Sequence, residues 1–382
     1  MEFQGYRRDD GKYGVRNHVL VVSSVCCANG VVDAIGRIFP DVITIQHTYG
    51  CGYGPDDFMT SMKVLQGIIN NPNVGAALVV GLGCELLKAE YLAQAAKGKP
   101  AEALVIQQAG STATTKKGID IAEKFIRNLA RQKRMPAPVS ELLVGLKCGG
   151  SDAFSGVTAN PSLGAAADLL IAEGATVVMG EVTEMIGTSH ILKKRCADPE
   201  LGAKLEKLIL DHEQHVRTSL GELAGLVIAP GNMDGGLSSI TEKSLGCNAK
   251  SGTTAINELV DYGTVPTKKG LIIMNAPGYD IDCMAGMASA GAQIIVFTTG
   301  RGTPAGFPSV PVIKVSSNSN IYRNMVGDID INAGSILDEG TTIKDVGREI
   351  FELCLKVAGG EATRAEINRS TPFSCLKTGP TF

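Results

Sequence analysis

Short apolar runs alternate with longer segments of helical periodicity along the whole chain. In the first part, continuous apolar runs predict strands at 19–25, 42–45, 76–82 and 103–107, and helical patterns end near residues 39, 70, 97 and 133. Apolar strands that alternate with helices are typical of a parallel sheet covered on both faces. The pattern therefore predicts an N-terminal doubly wound α/β domain over residues 1–134.

The second part of the chain repeats this style after two prolines, Pro136 and Pro138, which mark a linker. Apolar runs predict strands at 141–146, 175–179, 270–274, 293–298 and 312–315, and helical patterns cover 160–173, 199–222, 283–290 and 342–358. We therefore predict a C-terminal α/β domain over residues 140–382. The fold as a whole is expected to be two α/β domains with mainly parallel sheets covered by helices.

Composition excludes several classes of protein. The 382 residues carry 36 Lys and Arg against 39 Asp and Glu, so no basic surplus favours nucleic acid or an anionic membrane as a partner. No apolar run reaches the roughly 18 residues of a membrane span, and no signal peptide is visible, which leads us to expect a cytoplasmic protein. The ten cysteines are then candidates for buried packing residues, metal ligands or reactive thiols rather than disulfides.

Side chains that can bind metals, transfer protons or bind anions follow the predicted strands in both parts. In open α/β sheets, ligands bind beyond the carboxyl ends of the strands. We therefore predict an active cleft at these ends. The residues that follow strands are Cys26 and Cys27, His47 to Cys51, Cys84, Lys147 and Cys148, Glu181, Asn275, and Thr299 to Arg301.

Three of these positions carry groups suited to metal binding or proton transfer. His47 and Cys51 lie four residues apart in a glycine-rich loop; the alternative is a turn with a hydrogen-bonded histidine. Lys147 precedes Cys148, and an ammonium group beside a thiol favours the thiolate; the alternative is a buried cysteine with a surface lysine. Glu181 and Glu184, followed by His190, offer two carboxylates and an imidazole for a divalent ion or for proton transfer.

The segment from Phe297 to Pro304 is suited to binding a carboxylate. Glycine amides and the Arg301 fork match a carboxylate bidentately, and Lys314 on the next strand adds a second positive charge. The alternative is a structural turn. Two segments resemble motifs of other protein classes but lack a residue or a spacing that those motifs require. The segment 246–251 lacks the glycine that a phosphate-binding loop places before its lysine, and His212 to His215 fits a solvated helix face better than a zinc site.

A series of motifs resembles the altronate/galactarate dehydratase family over about residues 3–360. These motifs cover 10–17, 47–51, 71–85, 147–152, 181–184, 235–244, 297–302 and 330–334. The resemblance implies a hydro-lyase that removes water from a sugar acid, leaving a 2-keto-3-deoxy acid, with help from a divalent metal, Fe(II) or Mn(II). Longer family members carry a small N-terminal domain, so the resemblance also implies a separate small subunit that supplies it. A homo-oligomer is expected.

The resemblance leaves two alternative functions. One is the large subunit of a sulfolactate sulfo-lyase, a related C–S lyase, although the thiols of Cys51 and Cys84 favour the dehydratase branch. The other is a sugar-acid binding protein without catalysis.

The predicted roles outnumber what one metal ion needs. The candidate metal ligands are His47, Cys51, Cys84, Cys148, Glu181 and Glu184, and the candidate catalytic residues are His47, His190, Lys147 and Arg301. The candidate substrate-binding residues are Arg16, Asn17, Lys243, Thr298, Thr299, Arg301 and Lys314. A competing cofactor is a [4Fe–4S] cluster on Cys51, Cys84 and Cys148. Because His47 and Cys51 are expected in a loop, their replacement is expected to change stability by no more than about 1 kcal/mol.

Overall fold

The computed structural model describes the backbone of residues 1–382 and the side chains of residues 1–223 and 227–382. None of the helices in this described part combines the length and the apolar character that crossing a membrane requires. The strands are β1 (Glu2–Arg7), β2 (Tyr13–Gly14), β3 (His18–Ser23), β4 (Ile43–Ile45), β5 (Val74–Gly81), β6 (Ala101–Val105), β7 (Met135–Pro138), β8 (Leu143–Cys148), β9 (Thr176–Met179), β10 (Ile256–Asp261), β11 (Gly270–Asn275), β12 (Ile294–Thr299), β13 (Val312–Ser316) and β14 (Ile331–Asn332).

Fourteen α-helices accompany these strands in the described chain. They are α1 (Asn29–Ile38), α2 (Pro55–Asn70), α3 (Ala89–Gln94), α4 (Ile106–Leu129), α5 (Ala159–Ala172), α6 (Ser189–Lys194), α7 (Pro199–Leu220), α8 (Pro230–Asp234), α9 (Ile240–Asn248), α10 (Asp280–Ser289), α11 (Ser319–Asn324), α12 (Ser335–Asp338), α13 (Ile343–Ala358) and α14 (Arg364–Ile367). Short 3-10 turns follow β3, β9 and α9, at Cys26–Ala28, Val182–Met185 and Ala249–Ser251.

Two parallel sheets form the frame of the molecule. The first has four strands in the order β4-β3-β5-β6, and the second has seven in the order β10-β11-β9-β8-β12-β13-β14. Every neighbouring pair within these two sheets is parallel. Strands such as β5 and β12 are buried along their whole length, as strands covered on both faces require. The predicted α/β fold class is confirmed.

The two sheets share a hydrophobic core. Leu20 of β3 and Ile272 of β11 belong to one cluster of buried side chains, which also takes in residues of α2 and α10. These two helices pack closely, since a Cβ added at Gly67 of α2 would lie 2.0 Å from the Oγ of Ser289 in α10. Glycine is required at this contact because the neighbouring backbone leaves no room for a side chain.

The predicted linker is a β-strand in the structure. Strand β7 pairs antiparallel with β1, and β1 pairs antiparallel with β2, so these strands form a small third sheet. Pro136 and Pro138 are compatible with this assignment because β7 lies at the edge of its sheet, where a missing N–H breaks no ladder. The division into domains at residues 134 and 140 stays a prediction.

The C-terminal tail returns to the first sheet. Asp57, in the first turn of α2, accepts hydrogen bonds from the backbone amides of Thr378 and Gly379 at 2.8 and 2.9 Å. Phe382 donates its backbone N–H to the carbonyl of Gly52 at 2.8 Å. The loop that follows β4 is therefore covered in part by the last residues of the chain.

Candidate active site

A largely buried group of charged side chains and thiols lies at the carboxyl ends of β8 and β9. We call it the lysine–carboxylate cluster. It receives Lys147 and Cys148 from the end of β8, while Glu181 and Glu184 follow β9 and Asp280 begins α10. Helix α9 and the turn after it complete the set. The members are Lys147, Cys148, Glu181, Glu184, Lys243, Cys247, Lys250 and Asp280.

Lys147 joins two of the carboxylates. Its ammonium group forms an ion pair with Glu181 and a second one with Asp280 at 2.8 Å. It also donates to the backbone carbonyl of Gly278 at 3.2 Å. The side chain of Lys147 has no exposed surface, so these partners replace the water that an ammonium group otherwise needs.

Lys250 lies between the second oxygen of Glu181 and the two thiols. Its Nζ is 2.7 Å from Glu181 Oε2 and 3.5 Å from Cys148 Sγ, and it also donates to Cys247 Sγ. The two sulfur atoms are 3.4 Å apart. The Cys148 thiol donates to Glu184 Oε2 at 2.9 Å, so the thiols are part of the same network as the carboxylates.

Glu181 is held in an unusual backbone conformation. Its φ and ψ are 68° and 55°, and Arg369 is the other non-glycine residue with a positive φ in the described chain. The left-handed region costs a residue with a side chain about 1–2 kcal/mol. In this conformation the Glu181 carboxylate contacts Lys147 and Lys250, and such backbone strain is concentrated at functional sites.

The cluster favours charged lysines and ionised carboxylates. Burial alone would lower the pKa of Lys147 and of Lys250, but the neighbouring carboxylates and thiols outweigh it and raise both pKa values. Burial would raise the pKa of Glu184, yet Lys243 and the other two ammonium groups lower it. Two ammonium groups contact Glu181, so we take it as ionised, although burial raises its pKa. Burial also raises the pKa of the Cys247 thiol.

A small pocket opens next to the cluster. It has a volume of about 290 Å³, which is near the lower limit of the usual range for ligand pockets and suits a small molecule. Lys243 belongs to both features: its Nζ is 2.9 Å from Glu184 Oε1, and it also lines the pocket. The rest of the lining consists largely of small and polar residues, among them Ser151, Asp152, Ser155 and Asn160.

The donor atoms of the cluster fit a divalent transition metal in number and type. One atom each from Cys148, Cys247, Glu181 and Glu184 lie within 4.8 Å of one another. Thiolates with carboxylates suit a borderline-soft ion. The three ammonium groups and three carboxylates balance while the thiols are protonated, so an ion that displaces two thiol protons leaves the total charge unchanged. In this structure the ammonium group of Lys250 contacts both sulfur atoms.

Comparison with known proteins agrees with this picture. Residues 139–381 match the family model described as the C-terminal part of D-galactarate/altronate dehydratase. Residues 5–130 match the model described as the second domain of D-galactarate dehydratase/altronate hydrolase. The chain belongs to the galactarate/altronate dehydratase family. The resemblance predicted from the motifs is thereby confirmed.

Individual relatives of this dehydratase family are similar along nearly the whole chain. The altronate dehydratase of Bacillus subtilis is 37% identical, with 100% of this chain and 78% of the relative covered. The galactarate dehydratase (L-threo-forming) of Escherichia coli is 38% identical over 94% of this chain and 73% of its own length. The (2R)-sulfolactate sulfo-lyase subunit beta of Chromohalobacter salexigens is 32% identical, covering 95% and 94%. The predicted enzyme class, a carbon–oxygen lyase, is confirmed by the relatives named as dehydratases.

The structure separates the predicted metal ligands into two sets. Cys148, Glu181 and Glu184 belong to the lysine–carboxylate cluster, whereas Cys51 and Cys84 follow strands β4 and β5 of the other sheet. Within the described residues, neither thiol joins a group of metal-ligating atoms as compact as that of the cluster. The three thiols of the alternative [4Fe–4S] site thus follow strands of different sheets.

His47 is buried and bound to the backbone through both ring nitrogens. Its Nε2–H donates to the carbonyl of Ser23 at 2.6 Å, and the N–H of Tyr49 donates to its Nδ1 at 3.1 Å. The ring also packs against Phe373 of the C-terminal tail in a tilted arrangement, with centroids 6.2 Å apart. Burial lowers the pKa of His47 to about 4, so the ring is neutral at pH 7. The expectation that its replacement leaves stability nearly unchanged does not agree with this burial.

The other predicted catalytic and anion-binding side chains are spread around the second sheet. His190 is exposed on α6 and lines a separate surface pocket. Arg301 is exposed, and its backbone N–H donates to the carbonyl of Gly150 at 2.7 Å, which brings its loop beside the end of β8. Lys314 is buried and donates to the carbonyl of Pro304 at 2.7 Å.

Four further predicted substrate-binding residues have structural partners. Arg16 forms an ion pair with Glu366 at 2.7 Å. The Asn17 side chain accepts a hydrogen bond from Arg8 at 2.7 Å and donates to the Leu129 carbonyl at 3.2 Å. Thr298 donates to the side chain of Asn160, a pocket residue, at 2.6 Å, and the Thr299 hydroxyl accepts from the N–H of Gly302 at 3.0 Å. Of these four, Thr298 is therefore bonded directly to a residue of the pocket lining.

Sequence reasoning missed three members of the cluster, Cys247, Lys250 and Asp280. Cys247 and Lys250 lie in the segment that was set aside because it failed as a phosphate-binding loop. The signal was present in the spacing, since Lys243, Cys247 and Lys250 occupy positions i, i+4 and i+7 and therefore share one face of α9 and its following turn. Two lysines and a thiol on one helical face beside small residues indicate a buried polar contact rather than a solvated surface.

Proposed function

We propose that the chain is a metal-assisted dehydratase that removes water from an aldonic or aldaric sugar acid and gives a 2-keto-3-deoxy acid. The observation that supports this most directly is Lys243, which connects a buried charged network to a pocket at the strand ends. The names of the relatives support the substrate class. We propose the cytoplasm as the compartment in which it acts.

The reaction requires one proton to leave and one hydroxyl group to be expelled. A base takes the proton from C2, next to the carboxylate, and the C3 hydroxyl leaves with a proton as water. The enol that remains rearranges to the 2-keto acid. Negative charge builds up on the substrate carboxylate as the C2 proton departs, so positive groups fixed beside that carboxylate accelerate the step.

We assign Lys243 to the substrate carboxylate. Its side chain is 12% exposed, and it is the ammonium group of the cluster that lines the pocket. Burial lowers its pKa, but Glu184 more than compensates, and the pKa is raised. The ammonium form therefore persists at neutral pH. Lys147 has no exposed surface, and we assign it a positioning role through Glu181.

Arg301 is the second anion-binding group that we propose. It is exposed and lies beside Gly150, in the loop that follows Cys148. A guanidinium group can bind a carboxylate through two parallel hydrogen bonds, which fixes its orientation as well as its charge. An aldaric acid carries a carboxylate at each end, so Lys243 and Arg301 would let the site bind both. His190 stays a candidate for proton transfer on the basis of its residue type.

Cys148, Cys247, Glu181 and Glu184 would hold the metal ion. When bound, the ion would act as a Lewis acid that draws electron density from the substrate carboxylate. The two sulfur donors favour Fe(II) over Mn(II), because thiolates prefer softer ions. We also propose that a separate small subunit completes the enzyme and that the chain forms a homo-oligomer. The name of the relative from Chromohalobacter salexigens, a subunit beta, supports the first of these proposals.

The test is keto-acid release from a panel of aldonic and aldaric acids, assayed anaerobically with Fe(II), with and without the candidate small subunit. Sulfolactate belongs in the panel, since release of sulfite would favour the related sulfo-lyase activity over dehydration. Lys243→Met should lower kcat/KM about 10- to 100-fold, as loss of one charged hydrogen bond predicts. Lys116→Met, on an exposed face of α4, is the matched control and should retain full activity.

Two results would contradict the proposal. One is the absence of keto-acid and sulfite release across the panel under all these conditions, which would favour a binding protein. The other is a Lys243→Met variant with the same kcat/KM as the Lys116→Met control, which would remove the assignment of the pocket.

A further inference from the structure

The four exposed cysteines of the chain lie in three loops at one edge of the first sheet. The structure describes all ten cysteines; five are buried, Cys196 is partly exposed, and Cys26, Cys27, Cys51 and Cys84 are exposed. Free cysteine is among the most buried residue types. The first two follow β3, the third follows β4 and the fourth follows β5. These strands are neighbours in the order β4-β3-β5, so the three loops are adjacent.

Backbone hydrogen bonds tie the three loops together. The N–H of Cys26 donates to the carbonyl of Tyr49 at 2.9 Å, and the N–H of Leu86 donates to the carbonyl of Gly50 at 3.2 Å. Gly50 has a φ of 110°, and a Cβ built there would lie 2.3 Å from the carbonyl oxygen of Ser24. The loop of Cys51 is therefore packed directly against the loop of Cys26 and is also bonded to that of Cys84.

A buried carboxylate fixes the third loop. Glu85 accepts a hydrogen bond from the Ser24 hydroxyl at 2.9 Å and another from the backbone N–H of Gly83 at 2.5 Å. Cys84 lies between Gly83 and Glu85, which this last hydrogen bond joins, yet its own side chain is exposed. The three loops are thus held together by hydrogen bonds, while their thiol side chains stay exposed at the surface.

We propose that this edge binds a [4Fe–4S] cluster through Cys51, Cys84 and one of the vicinal pair Cys26 and Cys27. Cysteine thiolates are the usual ligands of such clusters. Adjacent residues of a 3-10 turn point in different directions, so one member of the pair can face the same cluster as the other two loops. His47 cannot be the fourth ligand, because both its nitrogens are bound to backbone groups. One iron is therefore left without a protein thiolate.

A [4Fe–4S] cluster requires a less compact set of ligand atoms than a single ion does. Among the described residues, the compact set of metal-ligating atoms is the one around Cys148 and Cys247, and the exposed thiols form no such set. A single ion draws its ligand atoms tightly around one centre. A [4Fe–4S] cluster distributes its thiolates over different iron atoms, and so it fills a wider opening between loops.

The proposal is tested on the full chain, purified without oxygen and then treated with Fe(II), sulfide and dithiothreitol. We expect a broad absorbance band near 400 nm, with about four sulfide and about five iron per chain, because the lysine–carboxylate cluster is proposed to hold one further Fe(II). Cys51→Ser and Cys84→Ser should each abolish most of the band. Of Cys26→Ser and Cys27→Ser, one should abolish it and the other should retain it.

Controls keep this test separate from the proposed dehydratase site. Cys148→Ser removes a thiol of the lysine–carboxylate cluster, and Cys354→Ser removes a buried thiol of α13; both should retain the band and the sulfide content. Thermal melting of each variant shows whether it is folded. Iron without sulfide, a disulfide between Cys51 and Cys84 in the anaerobic protein, or a full band in every thiol variant of the edge would each overturn the proposal.

Discussion

The buried ring of His47 tests how the loop after β4 is stabilised. Replacing it with Ala removes an imidazole that satisfies the Ser23 carbonyl and the Tyr49 amide, at 2.6 and 3.1 Å. Both backbone groups would be left buried and unpaired, at a cost of about 1–2 kcal/mol each, and the contact with Phe373 would be lost as well. We therefore expect His47→Ala to lower the free energy of unfolding by about 2–4 kcal/mol.

Cys51, four residues further along the same loop, is the matched control. It is exposed, so Cys51→Ala should change the free energy of unfolding by no more than about 0.5 kcal/mol. Urea titration at pH 7.5, followed by circular dichroism, measures both variants. If His47→Ala lowers the free energy of unfolding by less than about 1 kcal/mol, the ring does not stabilise the loop, and the inference from its burial is wrong.

The pH dependence provides a second measurement of the same interaction. Burial lowers the pKa of His47 to about 4, whereas an unfolded histidine has a pKa of about 6.5. Between these values the unfolded chain binds more protons than the native protein. Stability from this group is therefore fully present above pH 6.5 and is lost as the pH falls toward 4, by about 3 kcal/mol over the whole window. In His47→Gln this part of the acid loss should disappear; an unchanged slope between pH 7 and 4.5 would refute the reasoning.

Three further predictions concern other parts of the molecule. Lys147→Met removes a buried ammonium group from between two carboxylates and should cost about 3–5 kcal/mol in urea titration; a loss under about 1 kcal/mol would contradict the ion pairing. Gly67→Ala directs a methyl group at Ser289, 2.0 Å from its Oγ, and should lower the Tm, whereas Gly30→Ala meets open space in α1 and should not; equal Tm values would argue against tight packing there. Arg369→Gly removes a left-handed residue from an exposed turn and should raise stability by about 1 kcal/mol, seen as a higher Tm rather than an equal or lower one.

Local patterns predicted the fold class and five of the eight members of the lysine–carboxylate cluster, Lys243 among them. Strands covered on both faces must be apolar along their whole length, which is why runs such as that of β5 were visible in the sequence. The residues directly after β8 and β9 could also be placed, because parallel strands end at one edge. Lys147, Cys148, Glu181 and Glu184 were found in this way. Cys247 and Lys250 reach the same place from α9, and no strand pattern points to a helix face.

Long-range contacts explain where sequence reasoning failed. Arg16 was a candidate for substrate binding, but its partner Glu366 is 350 residues away. His47 resembled a free loop ligand, and the tail residue Phe373 that covers it also comes from the far end of the chain. A local pattern cannot show that a polar side chain is already satisfied by a distant segment. The same limit applies to the linker, which became a strand only because β1 pairs with it.

The pairing of the chain ends has a consequence for how the protein is assembled and how it evolves. The first strand closes onto residues at the centre of the chain, while the last residues close onto the loop after β4. During synthesis, more than 300 further residues must be added before Thr378 can bond the Asp57 carboxylate and Phe373 can cover the His47 ring. Until then the loop after β4 lacks the C-terminal residues that cover it. A break of the chain at its midpoint would therefore separate β1 from β7 and the loop after β4 from the residues that cover it, so each part depends on the other for these contacts.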